Sequence, residues 1–121
     1  MDAIHLNGIR CYGYVGYFPE EQVLGQWFEV NVTLWLDLSQ AGKTDNLEDT
    51  LNYASAIATV KQLVKTSKFA LVERLADAIA QALLQESLVQ QVKVNLSKLT
   101  APIPDFGGTI TIEITRNKAN S

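Results

Sequence analysis

The sequence predicts an α+β domain of order ββααββ, with a four-stranded antiparallel sheet and two helices on one face. Apolar and polar residues alternate in four segments, as in strands that bury only one face. Between the second and third of these segments, apolar residues recur at helical spacing in two consecutive stretches. The chain has 121 residues, the length of one domain, so we expect a single domain over residues 1–121.

The first two predicted strands cover residues 2–12 and 27–38. The second shows strict alternation over about eleven positions, which predicts one buried and one more polar face. Its apolar positions are Phe28, Val30, Val32, Leu34, Leu36 and Leu38. Segment 13–26 between the strands is predicted to be a loop, and loops of this length in compact domains are often functional.

The two predicted helices cover residues 52–65 and 70–85 and follow a polar connection over 39–49. Each carries a stripe of apolar residues that would face the sheet. The stripes are Tyr53, Ile57, Val60 and Val64 in the first helix and Leu71, Leu75, Ile79 and Leu83 in the second. An aromatic at the start of a helix is usually a core contact, so Tyr53 is expected to pack inside.

The last two predicted strands cover residues 89–98 and 109–116, with valine, leucine and isoleucine on one face. The opposite face of the sheet carries Trp27, Trp35 and several threonines, so it is only partly polar. A short sheet with free edges tends to assemble through those edges. We therefore expect a homo-oligomer.

Composition excludes several classes of function. The net charge is −3, without a cluster of basic residues, so nucleic-acid binding is not expected. No apolar run approaches the roughly 20 residues that span a bilayer, and the first residues do not resemble a signal peptide. Cys11 is the only cysteine, which fits a reducing compartment such as the cytoplasm. His5 is the only histidine, so one chain cannot supply a three-histidine zinc site, and no metal or cofactor motif is found.

Lys98 is the most informative candidate for acid–base chemistry. It continues the apolar face of the third strand in phase, so that face ends in an ammonium group. Desolvation there would suit proton transfer, although a strand-end lysine more commonly reaches water. Glu73, early in the second helix, is favoured by the helix dipole alone. The paired acids Glu20 and Glu21 would ordinarily be solvated loop charges.

The ordered segments of the chain resemble the dihydroneopterin aldolase family from Ile4 to Arg116. The matching segments are Gly8–Gly16, Glu20-Glu21, Gly25–Val30, Asp45–Tyr53, Leu71–Ala76, and Lys98 with Ala101–Pro104. The resemblance implies the tunnelling fold, in which four subunits join their sheet edges into a wide barrel. It also implies an octamer made of two stacked tetrameric rings, with active sites between subunits.

The resemblance further implies a role for five residues. Glu73 would bind the pterin through a bidentate pair of hydrogen bonds, with a further contact from the backbone of Val72. Tyr53 would reach the site from a neighbouring subunit, and Glu21 would lie near the side chain of the substrate. Lys98 would be catalytic, with Tyr53 assisting proton transfer.

The implied reaction is retro-aldol cleavage of 7,8-dihydroneopterin in folate biosynthesis, with some epimerisation to dihydromonapterin. The products would be 6-hydroxymethyl-7,8-dihydropterin and glycolaldehyde, without metal, Schiff base or other cofactor. The alternatives are a dihydroneopterin triphosphate 2′-epimerase and a non-catalytic pterin-binding ring. A zinc-dependent pterin synthase of the same fold would need more histidines than the chain has. Val15 replaces a histidine of many relatives, and Leu99 replaces a proline of some, which leaves the nearby loop shape open.

Overall fold

The computed structural model describes residues 1–119 and contains a four-stranded antiparallel sheet in the order β1-β2-β3-β4. The strands are β1 (Asp2–Gly13), β2 (Gln26–Leu36), β3 (Gln91–Lys98) and β4 (Ile110–Asn117). Two long helices, α3 (Tyr53–Thr66) and α4 (Val72–Leu83), connect β2 to β3 and pack on one face of the sheet. The predicted order ββααββ is confirmed. Asn120 and Ser121, the end of the predicted domain, lie outside the described residues.

Two segments that were predicted to be irregular contain short helices. The loop between β1 and β2 holds α1 (Pro19–Leu24), and the polar connection after β2 holds α2 (Ser39–Thr44) and a 3₁₀ turn (Leu47–Asp49). Helices of one or two turns are too short to show an apolar period, so composition alone predicts a loop. Proline at the first position of α1 suits a helix start, because its missing N–H would have no partner there.

The core lies between the covered face of the sheet and the two long helices. All the alternating apolar residues of β2 from Phe28 to Leu36 are buried. Val60 and Val64 of α3 and Leu75 and Ile79 of α4 pack against them. Cys11 is one of these core residues, and burial raises the pKa of its thiol.

The first residue of each predicted helical stripe is not in the core. Tyr53 is 57% exposed and Leu71 is 52% exposed. Tyr53 is the first residue of α3, and Leu71 precedes α4 in extended conformation, so neither lies over the sheet. The expectation of Tyr53 as a core contact is therefore wrong.

The opposite face of the sheet carries two hydrogen-bonded pairs of polar side chains. His5 Nδ1 and Thr33 Oγ1 share a hydrogen bond of 3.0 Å, and the hydroxyls of Ser97 and Thr111 share one of 2.7 Å. The His5 ring is thus held by a hydrogen bond across the β1–β2 pair. Among residues 1–119 there is no group of three metal-binding side chains and no helix long and apolar enough to cross a membrane.

The long helices define two ends of the molecule. A Cβ on Gly13 would lie 2.5 Å from the Val64 carbonyl oxygen, so the end of α3 packs directly on the end of β1. The start of α3 lies at the other end, where Leu51 shares a surface depression with residues 86–88, just before β3. Lys98, the last residue of β3, is therefore at the end opposite Tyr53.

The start of α3 is held by the side chain of Asn52. Its Oδ1 accepts hydrogen bonds from the amides of Ala54 at 3.1 Å and Ser55 at 3.3 Å. We expect Asn52→Ala to lower the free energy of unfolding by about 1 kcal/mol, measured by urea denaturation at fixed protein concentration. Asn52→Asp keeps the acceptor and should stay near wild type. Equal losses in both variants would contradict a capping role.

Candidate functional site

A buried ion pair joins the end of β3 to α1. Lys98 Nζ lies 2.6 Å from Glu21 Oε2, and the two side chains are 13% and 3% exposed, respectively. Lys98 is thus largely removed from water, although a lysine at the end of a strand more commonly reaches solvent. The prediction that Glu20 and Glu21 are both solvated loop acids is wrong for Glu21. Glu21 is buried in α1, whereas Glu20 is exposed.

Both carboxylate oxygens of Glu21 accept hydrogen bonds. Oε1 accepts from the Phe18 amide at 3.1 Å, and Oε2 accepts from Gln26 Nε2 at 2.6 Å as well as from Lys98. Burial alone would raise the pKa of this carboxyl. The three donors and the positive charge of Lys98 outweigh burial and hold the pKa of Glu21 below its ordinary value. Glu21 is therefore a carboxylate anion, paired with the Lys98 ammonium group.

Gly16 provides the space that Glu21 occupies. A Cβ on Gly16 would lie 2.5 Å from the Glu21 Cβ and 2.6 Å from its carboxyl carbon, so only glycine fits there. The Gly16 amide donates to the Phe69 carbonyl at 3.2 Å, which ties this loop to the segment before α4. The contact places the first turn of α4 at the same end of the molecule as the ion pair.

Val72 and Glu73 form that first turn of α4. The Val72 side chain is buried, whereas Glu73 is exposed. The first amides of a helix have no acceptor within the helix, so this turn offers N–H donors next to a solvent-facing carboxylate. Such a combination can bind a flat heterocycle with adjacent N–H groups.

Tyr53 is separated from these residues within one chain. Helix α3 has 14 residues and, at about 1.5 Å per residue, spans roughly 20 Å. Its last turn lies at the Gly13 end and Tyr53 at the other, so Tyr53 cannot contact Lys98 of the same chain. The structure thus brings together Glu21 and Lys98, places Val72 and Glu73 at the same end, and leaves Tyr53 apart.

A surface cavity of about 290 Å³ opens next to Glu21. Aromatic and apolar groups of Tyr12, Leu24, Trp27 and Pro102 line it. A second cavity of about 660 Å³, lined by Trp35 and Lys118 among others, lies at the other end of the sheet, and none of the ion pairs within residues 1–119 involves its lining residues. The first cavity is therefore the one that accompanies the candidate chemistry.

Sequence reasoning missed Gln26 and Gly16, which both fix Glu21. Gln26 and Gly16 lay within the segments that resemble the family, but neither carries a titratable group that would have drawn attention. The structure also shows the surroundings of Val15 and Leu99, the two departures from the family pattern. Val15 is fully buried in the core, and the Leu99 amide donates to the Trp27 carbonyl at 3.3 Å, a bond that proline could not make.

A family model described as dihydroneopterin aldolase matches residues 4–115. A relative from Synechocystis sp., named probable dihydroneopterin aldolase, is 57% identical over 118 residues, covering 98% of this chain and 100% of that protein. The dihydroneopterin aldolase of Bacillus subtilis is 45% identical over 120 residues, with coverage of 98% and 100%.

Solved structures resemble this chain over nearly its full length. Escherichia coli dihydroneopterin aldolase in complex with neopterin has a TM-score of 0.88 at 29% identity, covering 97% of this chain and 100% of that chain. The Burkholderia thailendensis enzyme bound to guanine has a TM-score of 0.80 at 28% identity, with coverage of 98% and 92%. A uricase from Bacillus fastidious has a TM-score of 0.65 at 12% identity, covering 99% of this chain and 43% of that chain, which shows a common fold alone.

The position of Gly16 gives a direct test of the site geometry. We expect Gly16→Ala to displace Glu21, to move the pKa of its carboxyl up toward the ordinary value, and to lower stability by about 1–3 kcal/mol. The pKa would be measured by ¹³C NMR of the carboxyl and the stability by urea denaturation. Gly42→Ala is the matched control, because a Cβ there meets nothing within 4 Å. An unchanged Glu21 titration in Gly16→Ala would show that the contact is not restrictive.

Proposed function

This chain belongs to the dihydroneopterin aldolase family, and on that premise we propose that it cleaves 7,8-dihydroneopterin. This lyase reaction is a step of folate biosynthesis, and its products are 6-hydroxymethyl-7,8-dihydropterin and glycolaldehyde. The observation that carries the proposal is the buried pair of Glu21 and Lys98, 2.6 Å apart, at the end of β3, where Glu21 also lines a surface cavity. We treat residues 1–121 as one catalytic domain and place it in the cytoplasm, where a lone cysteine stays reduced.

The reaction needs a base near the side-chain hydroxyl next to the scissile carbon–carbon bond. In the proposed mechanism, that hydroxyl proton passes through water to the Lys98 amine. The hydroxyl carbon becomes a carbonyl, the carbon–carbon bond breaks, and its electron pair enters the C=N bond of the dihydropterin ring. Glycolaldehyde leaves, and the ring remains as an enamine.

The second half of the reaction returns a proton to carbon. Lys98 gives its proton back through water to the enamine carbon, with the Tyr53 hydroxyl helping, and the C=N bond re-forms. Glu21 keeps the ammonium form available between the two steps, because its carboxylate accepts from Lys98 throughout. Proton transfer by positioned groups of this kind contributes roughly a hundred- to ten-thousand-fold in rate.

Glu73 and Val72 are proposed to bind the pterin ring. Its exocyclic amino group and adjacent ring N–H can both donate to the exposed Glu73 carboxylate, and the backbone at Val72 can add a further contact. Neopterin and guanine, the ligands of two similar solved enzymes, both present this pair of donors. A carboxylate facing solvent at a helix start is suited to both.

The active site is proposed to lie between subunits. Tyr53 lies at the opposite end of α3 from the ion pair, so a site that contains both must take Tyr53 from a partner subunit. Strands β1 and β4 are the two edges of the sheet and are available to join neighbouring subunits. We propose rings of four subunits, stacked in pairs as an octamer.

Lys98 is tested by substitution. We expect Lys98→Ala to lower kcat for dihydroneopterin by at least a hundredfold, because the group that transfers the proton is gone. Released glycolaldehyde and pterin products are measured by chromatography, which also separates cleavage from epimerisation. Lys93→Ala on the polar face of the same strand is the control. Near-wild-type turnover in Lys98→Ala would refute the assignment.

The shared site is tested by mixing two inactive variants. Tyr53→Ala and Lys98→Ala should each lose activity alone, yet subunits of the two kinds, unfolded together and reassembled, should regain a fraction of wild-type activity. The physical reason is that some interfaces then combine an intact Tyr53 with an intact Lys98. Mixing without reassembly is the control. If reassembly restores no activity while wild type treated alike recovers, the site lies within one subunit.

A further inference from the structure

We propose that Gln26 is a positioning residue for the Glu21–Lys98 pair: its amide fixes the Glu21 carboxylate and thereby the place of the Lys98 ammonium group. The inference rests on the proposed function and adds a residue to it. Gln26 is the first residue of β2, and it pairs with Gly13 at the end of β1. Its backbone is therefore set by the sheet, which makes it a rigid support.

The amide of Gln26 has two acceptors. Nε2 donates to Glu21 Oε2 at 2.6 Å and to the Val15 carbonyl at 3.2 Å, which occupies both of its hydrogens. The second bond fixes the plane of the amide, so the first points in one direction only. Glu21 Oε2 consequently lies between two donors, Gln26 Nε2 and Lys98 Nζ, each 2.6 Å away.

Gln26 matters because it is the one side-chain donor to Glu21 Oε2 besides Lys98 itself, so it holds this oxygen independently of the lysine. The other carboxylate oxygen, Glu21 Oε1, accepts from the Phe18 amide. Without the Gln26 amide, the carboxylate could still rotate about that hydrogen bond. Removal of the Gln26 amide would release that rotation and shift Lys98 with it. Such displacements of about 1 Å in a catalytic group cost up to about a hundredfold in rate.

The role is one of positioning. An amide does not exchange a net proton at neutral pH, and both N–H bonds are used within the protein. The charged and titratable groups around Gln26 are Glu21 and exposed Glu20 from α1, Lys98 from β3, and the Tyr12 phenol from β1. Gln26 is the neutral donor among them, and a second carboxylate in its place would face Glu21 directly.

Two substitutions of similar size test the inference. In Gln26→Met the donor is absent, so we expect kcat for dihydroneopterin to fall about tenfold or more at every pH, with little change in KM because Glu73 binds the ring elsewhere. In Gln26→Glu two carboxylates face each other at high pH, and one shared proton restores a hydrogen bond at low pH. The kcat of Gln26→Glu relative to wild type should therefore rise as the pH falls from about 8 to about 5.5.

Gln22→Met is the matched control. Gln22 Nε2 donates to the Gly16 carbonyl at 2.9 Å and makes no hydrogen bond with the Glu21 carboxylate, so its loss should leave the pH profile of kcat unchanged. A purely structural role of Gln26 would lower stability in both of its variants without making the activity ratio depend on pH. A ratio that stays constant across this range would overturn the inference.

An assay without turnover separates this inference from the proposed function. The pKa of the Glu21 carboxyl, followed by ¹³C NMR, should move up in Gln26→Met because one donor to the anion is lost. If wild type releases no glycolaldehyde, the proposed function fails, and this titration alone decides the role of Gln26. An unchanged Glu21 titration in Gln26→Met would overturn the positioning role whether or not the enzyme is active.

Discussion

The Glu21–Lys98 pair is the interaction on which the surrounding structure depends. Removing two opposite charges from water costs several kcal/mol per ion. Their attraction offsets that cost only when the remaining lone pairs and protons make hydrogen bonds. The Phe18 amide and the Gln26 side chain supply such partners for Glu21, and Gly16 leaves the space in which its side chain lies. Within residues 1–119, no buried side-chain nitrogen or oxygen lacks a hydrogen-bond partner.

The framework of the fold could be predicted because it is repetitive. Alternation in β2 and the apolar faces of α3 and α4 extend over many residues, so a single exception such as Tyr53 or Leu71 does not hide the period. The phase of Lys98 at the end of β3 follows from the same alternation. The exposure of Tyr53 could not be predicted, because it depends on where α3 begins relative to the sheet beneath it.

The chemistry of the first loop could not be predicted from local pattern. Glu21 and Lys98 are 77 residues apart, and no periodicity connects them. Helix α1 has six residues, and its neighbouring acids look alike in sequence although one is exposed and the other buried. Gly16 and Gln26 act by shape and by a neutral donor, properties that residue type alone does not reveal. The family resemblance supplied the roles of Tyr53 and Glu73, which remain predictions.

The separation of Tyr53 from Lys98 along α3 has a consequence for mixed populations of subunits. In the proposed ring, each subunit completes one site with its ion pair and a different site with its tyrosine, so it serves two neighbours at once. A chain that folds and assembles but lacks both groups would disable two sites for each copy incorporated. Activity would then fall faster than the proportion of defective chains rises.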